Sequence, residues 1–210
     1  MPMVIGTLAS IWRYPVKSLR GEPLESVEVG ESGIPGDRSS ALFVRGGHAR
    51  EGRTFRGKEH ERLHLTADPE TAIELGAARG VELEHRSGQH FFDDAPISML
   101  LDRWLRELHA HLGYEVEPER FRPNFFVRAR AQFAGGEADL EGAQLQLGHV
   151  RLRVRYPIER CVTTTYDPHG GAGDPEILRF VAARRNAWMG VYCDVVQAGS
   201  TRTGDPLVLL

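Results

Sequence analysis

The chain is poor in cysteine, with two in 210 residues. Two thiols cannot hold an iron–sulfur cluster of the usual four-thiolate kind, and at this length they do not make a disulfide scaffold. No iron–sulfur cluster is expected, so any electrons must come from elsewhere. Long hydrophobic runs are missing as well: no stretch approaches the ~18 apolar residues needed to span a bilayer. The N-terminal MVIGTLASIW is apolar, but its first positive charges, Arg13 and Lys17, follow it, which inverts the order of a signal peptide. A cytoplasmic protein with no membrane contact is the expectation. Charge of one sign is also lacking. The net charge of -3 argues against a nucleic-acid partner held by bulk electrostatics. The local arginine clusters at 45–62 and 151–160 read as anion sites or solvated faces.

What remains is an ordinary globular composition, 41% apolar and 26% charged, enough for one domain or two small closely packed lobes. Short apolar or alternating segments at 4–13, 24–29, 39–44, 71–75, 81–86 and 89–92 are separated by glycine and proline, so the first ninety residues read as mostly β. Within PISMLLDRWLRELHAHLG the period changes. Ile97, Leu100, Leu101, Trp104, Leu105, Leu108 and Leu112 recur at helical spacing, with Asp94 as a cap, Pro96 early and Gly113 at the end. Strands return at FFVRA, AQLQLG, HVRLRVRY, WMGVYCDVVQ and PLVLL, and a second helix is expected from Asp174-Pro175. GGEAD at 135–139 is the nearest thing to a linker. The irregular order of strands and helices favours a strand-rich α+β or barrel fold over a doubly wound sheet.

The two cysteines read differently. Cys193 shares one face of a period-two strand with Val191 and Val195, the pattern of a buried small apolar residue. Cys161 follows Arg160 and precedes three threonines in ERCVTTTYDP, a polar setting that points to chemistry, although a passive strand-end cysteine would look the same. Thiolate is the nucleophile and soft-metal ligand, and a neighbouring guanidinium favours it. HERLH at 60–64 matches the two-histidine zinc-protease pattern, but that chemistry needs a helix, and Gly57 and Asp68-Pro69 flank this stretch. The loop around it is basic and could wrap an anion or simply be solvated. Lys17-Ser18, Arg38 after Pro-Gly-Asp, and Arg122 with Asn124 in RFRPN are each unremarkable alone. Gathered together they would suit a phosphorylated heterocycle, with arginine as a planar fork and asparagine as both donor and acceptor.

YPVKSLRGE, GIPGDR, FRPNFFV, ERCVTTTYDP and GVYCDVV followed by GDPLVLL stand in the order found in the MOSC family, which the chain resembles over nearly its whole length. Within that family it resembles YcbX-type proteins and the mitochondrial amidoxime-reducing component. The resemblance implies a MOSC β-barrel of the pyruvate-kinase barrel kind, with an N-terminal β-barrel region over 1–92, a MOSC domain over 93–210 and two main helices. It implies molybdenum-molybdopterin as cofactor, with Cys161 ligating molybdenum as the catalytic thiolate or carrying sulfur for it. Lys17, Ser18, Arg38, Arg122, Asn124, Arg160 and Tyr192 match positions that hold the pterin and its phosphate. The implied activity is a molybdenum-dependent oxidoreductase that reduces N-oxygenated small molecules. The alternatives are a persulfide carrier at Cys161 or a carrier of the cofactor itself.

Departures from the family pattern are Glu159 where the reductases place a small hydroxyl residue, Asp94-Ala95 where they offer hydroxyls, and a short middle region. The 210 residues hold no cysteine-rich ferredoxin-like segment, so for a reductase a separate electron-donor protein is the expectation. Pyridoxal phosphate is not expected, because the chain is too short to add that domain.

Overall fold

The computed structural model describes residues 1–88 and 90–210. In chain order it contains β1 (Met3–Arg13), β2 (Glu22–Leu24), β3 (Ser26–Val29), β4 (Ser40–Gly46), α1 (Pro69–Ala77), β5 (Glu82–Ser87), β6 (Ile97–Leu101), α2 (Asp102–Leu112), β7 (Phe125–Ala129), β8 (Gln144–Leu147), β9 (Val150–Glu159), α3 (Pro175–Arg184), β10 (Trp188–Gln197), β11 (Gly199–Arg202) and β12 (Pro206–Leu209).

The expected strand-rich barrel is present. Strands β12, β8, β9, β10, β6, β7 and β1 form a ring that the β12–β1 pairing closes, and β2 extends it from β1. Closure leaves no strand edge in the ring unpaired. The one parallel pair in the ring, β6–β7, is joined through α2, as a parallel crossover requires. Alternation explains the strands: in β9, Val150, Leu152 and Val154 point into the core while Arg153 and Arg155 face solvent. Helix α2 lays Trp104, Leu105 and Leu108 on the barrel. The antiparallel β4–β5 pair and α1, which lies between them in the chain, enclose a separate smaller core of Leu42, Val44, Leu63, Ala72 and Leu83.

Several boundaries differ from the sequence reading. Ile97–Leu101 is a strand with all five residues buried, and the helix starts only at Asp102, so neither Asp94 nor Pro96 opens it. A short continuous apolar run fits a strand buried on both faces as well as a helix. Gly113 does end α2, in left-handed backbone. Residues 71–75 are helical, because Asp68 accepts from the Glu70 and Thr71 N–H groups at 3.3 and 2.9 Å and Pro69 occupies the first turn. Among the described residues the α-helices are therefore three rather than two. In the expected strand at 89–92, Gln89 lies outside the described residues and 90–92 are not strand. HERLH is no helix: His60 follows one 3-10 turn, Gly57–Glu59, in extended backbone, and Leu63 and His64 begin a second, Leu63–Leu65. Residues 135–139 are no linker, since Glu137 is buried against Arg185 and the Trp104 indole N–H donates to Gly135 O at 3.1 Å. Among the described residues no helix is long and apolar enough to cross a membrane.

Candidate functional site

One end of the barrel opens into a cavity of about 1160 Å³, and Lys17, Ser18, Arg38, Arg122, Asn124, Arg160, Cys161 and Tyr192 all line it. These eight residues come from five segments that span 175 positions, from Lys17 to Tyr192, so their gathering is a product of the barrel.

Cys161 follows β9 and is exposed, with its Sγ 3.3 Å from Thr163 Oγ1. The threonines behind it build the turn that presents it. Thr164 Oγ1 donates to Cys161 O at 3.0 Å and Thr165 Oγ1 to Val162 O at 2.7 Å, closing a 3-10 turn over Val162–Thr165. Arg120 secures this loop from the far side, donating to Thr165 O at 3.2 Å and to Asp167 Oδ2 at 3.3 Å. Cys193, by contrast, is fully buried in the barrel wall, and burial pushes its thiol up.

The arginines form the floor. Arg160 donates through Nε to Met189 O at 2.6 Å and through Nη1 to Phe121 O at 2.9 Å, which leaves its Nη2 buried with no partner. Arg122 is in the same condition: its Nη2 is buried without a partner, and its guanidinium lies 4.2 Å from the centroid of the buried Tyr14 ring. Burial lowers each of these two guanidinium groups to about 10, with Tyr192 and Cys161 partly offsetting this at Arg160 and Tyr14 at Arg122. Burial also raises the Tyr14 and Tyr192 phenols to about 12, so both stay neutral. Arg38 differs because it is paired: burial opposes its charge, but Asp37 at 2.5 Å outweighs that and holds its pKa above the ordinary value. The result is a wall that can take an anion, with two guanidinium N–H donors already desolvated.

Other members of the set are occupied by the protein. Lys17 Nζ lies 2.5 Å from Asp93 Oδ1, and Ser18 Oγ accepts from the Gly57 N–H at 2.9 Å. Asn124 has its amide oxygen and one of its two Nδ2 hydrogens engaged inside the protein. Its Nδ2 donates to Trp12 O at 3.2 Å, and its Oδ1 accepts from Ser98 N at 3.0 Å and Arg38 Nη1 at 3.3 Å. It ties β1 to β6 and aims Arg38. Glu159 is exposed and lines both this cavity and a smaller adjoining one with Tyr156, Trp188 and Tyr192. Asp94 is exposed at the same rim, while Ala95 is buried.

Sequence reasoning missed Tyr14, the platform under Arg122 and Arg38; the signal was its place two residues before Val16 in the YPVKS segment it had already noticed. It also missed His64 as a cavity residue. The His64 Nε2–H donates to Asp167 O at 2.7 Å and its ring stacks on Tyr166, so the second histidine of HERLH braces the Cys161 loop instead of binding zinc. Among the described residues no three or more histidines, cysteines or acids come together as a metal site.

The chain is similar across nearly all its length to two mitochondrial amidoxime-reducing components. Component 2 of Macaca fascicularis is 22% identical, with 97% of this chain and 83% of that protein covered. For component 1 of Homo sapiens the values are 23%, 98% and 83%. Among solved structures, the YuaD protein from Bacillus subtilis superposes with a TM-score of 0.61 at 16% identity, over 100% of this chain and 97% of that one. YiiM from Geobacillus stearothermophilus gives 0.51 at 12%, over 100% and 75%. These two likenesses are of fold. The description "MOSC domain" matches residues 86–208 and "MOSC N-terminal beta barrel domain" matches 5–91, and on those matches the chain belongs to the MOSC domain family.

Proposed function

We propose that this protein binds the molybdenum cofactor and reduces N-oxygenated small molecules, using electrons delivered by a separate protein. The observation that carries the reading is the pair of buried guanidinium Nη2 groups on Arg122 and Arg160, both without partners, in the same cavity as the exposed thiol of Cys161. An anion is what desolvated, unpaired guanidinium groups lack. A soft thiolate next to an anion site suits a metal held on a phosphorylated pterin. The residues present therefore fit the group. The cavity also exceeds the ~300–1,000 Å³ typical of a single ligand, so a cofactor and a small substrate can share it. Similarity to amidoxime-reducing components over 97% of the chain supports the choice of substrate class.

In this reading Arg122 and Arg160 hold the phosphate, Arg38 orients the anion from the side, and Cys161 supplies the thiolate ligand. When bound, the cofactor supplies oxygen-atom transfer from the N–O bond and two-electron redox chemistry. The protein's own part is placement. The threonine-closed turn fixes the Cys161 backbone, Tyr14 supports the Arg122 and Arg38 side chains from below, and the neutral Tyr192 offers a phenolic hydrogen-bond donor at the cavity wall. The exposed Glu159 stands at the rim, where it can act on substrate selection.

The test is elemental analysis and oxidised-pterin fluorescence on wild type and Cys161→Ser, both purified from a host that makes the cofactor. Near-stoichiometric molybdenum and pterin in wild type, with molybdenum lowered in the variant, is expected, followed by turnover of N-hydroxylated substrates with an artificial electron donor. A wild type without molybdenum or pterin, carrying a persulfide on Cys161, would overturn the reading in favour of a sulfur carrier. Full loading without turnover would overturn the enzymatic half in favour of a cofactor carrier.

A further inference from the structure

We infer that Glu137, through a buried ion pair with Arg185, is the positioning residue that sets the Arg160 guanidinium against the cavity; the consequence for cofactor retention rests on the role proposed for Arg160 above. Arg160 owes its position to the segment 185–190. Ala187 O accepts the Arg160 main-chain N–H at 2.8 Å, and Met189 O accepts its Nε–H at 2.6 Å. That segment does not run as a regular strand. Asn186 and Ala187 are both in left-handed backbone, and the β9–β10 register slips between Trp188 and Val191, a bulge centred on Gly190. Bulges of this kind break the ladder and re-aim neighbouring groups.

Glu137 grips both ends of the distorted segment. Its two carboxylate oxygens receive Arg185 Nη2 at 2.8 and 2.6 Å, and Oε1 also faces the Gly190 N–H at 3.4 Å. Glu137 is 5% exposed, so the carboxylate is committed to these partners. Gly190 is itself confined. A Cβ there would stand 2.8 Å from Met99 O and 3.0 Å from Arg160 Nη2, and its φ of +90° disfavours any side chain. The guanidinium is thus packed against a glycine whose N–H faces Glu137, and its Nε is bonded to the carbonyl immediately before that glycine. A buried ion pair contributes little net stability as a rule. Here its place behind Arg160 gives it a reason: the pair holds the carbonyls of 187 and 189 where they aim the guanidinium.

The experiment reads Arg160 directly, by hydrogen exchange of arginine Nε–H signals in the ¹⁵N spectrum of the full chain. Arg120, whose Nε donates to Glu117 Oε2 at 2.7 Å and which shares no hydrogen-bond partner with Glu137, is the internal reference. Glu137→Gln should accelerate Arg160 Nε–H exchange by about fivefold or more, the scale of one weakened hydrogen bond, while Arg120 keeps its wild-type rate. Pterin retained per chain should fall in parallel. A residue with only a general structural role would speed both arginines together, and either that result or an unchanged Arg160 rate overturns the inference. Should Glu137→Gln fail to fold, Arg185→Lys keeps both charges while removing the Nη2 contact to Glu137 together with the Nη1 contact to Glu107 at 3.2 Å, and the same two outcomes decide there. Absence of molybdenum and pterin from wild type would count against the cofactor reading alone, because the exchange rates still judge Glu137.

Discussion

Asn124→Ala should destabilise the protein even when no cofactor is present. The side chain is 1% exposed, and its amide spans the top of the barrel between Trp12 O, Ser98 N and Arg38 Nη1. Truncation leaves the Ser98 N–H without its acceptor and the Trp12 carbonyl without one donor, in a place water does not reach. A stranded buried polar group costs about 1–3 kcal/mol, and with the small void the sum is roughly 2–4 kcal/mol. The assay is urea unfolding of cofactor-free protein followed by tryptophan fluorescence. At an ordinary urea slope that loss moves the midpoint down by about 1 M or more. Arg38 should lose part of its orientation at the same time, lowering pterin retention in protein from a cofactor-making host. Stability within about 0.5 kcal/mol of wild type, with retention lost, would refute the reasoning. It would mean that the amide serves the ligand and not the barrel.

Arg122→Met should leave cofactor-free protein as stable as wild type or up to about 2 kcal/mol more so, since it removes a buried charge whose Nη2 has no partner. Pterin content should fall, and reduced urea stability would show that the guanidinium is compensated after all. Cys193→Ser, at a fully buried site, should cost about 2 kcal/mol for an unpaired hydroxyl, while Cys161→Ser, at an exposed one, should stay within about 0.5 kcal/mol; equal melting curves would refute the contrast. Burial holds His64 and His60 below their ordinary value of 6.5, so the unfolded chain takes up more protons as the pH drops beneath that value. Their contribution is complete above about 6.5 and is lost as pH falls from there toward the folded values. Urea midpoints measured across that range should fall less steeply in His64→Gln, and an unaltered slope would refute the assignment.

The barrel was legible where one face of a strand is buried. The alternation of β9, and of Val191 and Cys193 in β10, puts the apolar residues inside without any tertiary information. It was illegible where both faces are covered, as at Ile97–Leu101, because a fully buried strand has lost the period that identifies it. Helix α1 was hidden for a different reason. Its nine residues carry a weak apolar stripe, and the decisive signal, Asp68 capping with Pro69 behind it, lies outside the segment that was being read. At the site, residue types marked several of the eight cavity residues and the resemblance to the MOSC family supplied the full set, but neither told which of them face a ligand. Asn124 looks like a ligand group in sequence, and the fold has given its amide to Trp12 and Ser98, while Ser18 has given Gly57 only an acceptor and keeps its hydroxyl hydrogen. Glu137 and Arg185 lie 48 positions apart, and nothing local marks either as a partner of Arg160.

Strain and unpaired charge fall in the same place, and that coincidence argues for a ligand independently of the family. Among the described residues, five that are not glycine adopt left-handed backbone: Ser18, Arg38, Arg122, Asn186 and Ala187. The first three line the cavity, and the last two lie in the segment wrapped around Arg160. Each such residue costs of order 1 kcal/mol and persists only when its surroundings over-determine it. Of the six buried side-chain atoms without hydrogen-bond partners among the described residues, Arg122 Nη2, Arg160 Nη2 and His64 Nδ1 are on cavity-lining residues and Arg185 Nε is in the segment behind Arg160, while Arg50 Nε and His109 Nε2 lie elsewhere. A protein selected for the stability of its ligand-free form would have placed glycine at the strained positions and apolar side chains in place of the two arginines. An anion that fills the cavity satisfies the guanidinium groups and binds only the folded chain, so its occupancy stabilises the fold by mass action. The opposed costs and gains therefore meet at one end of the barrel, where the strained backbone is what holds the unpaired donors in place for the ligand.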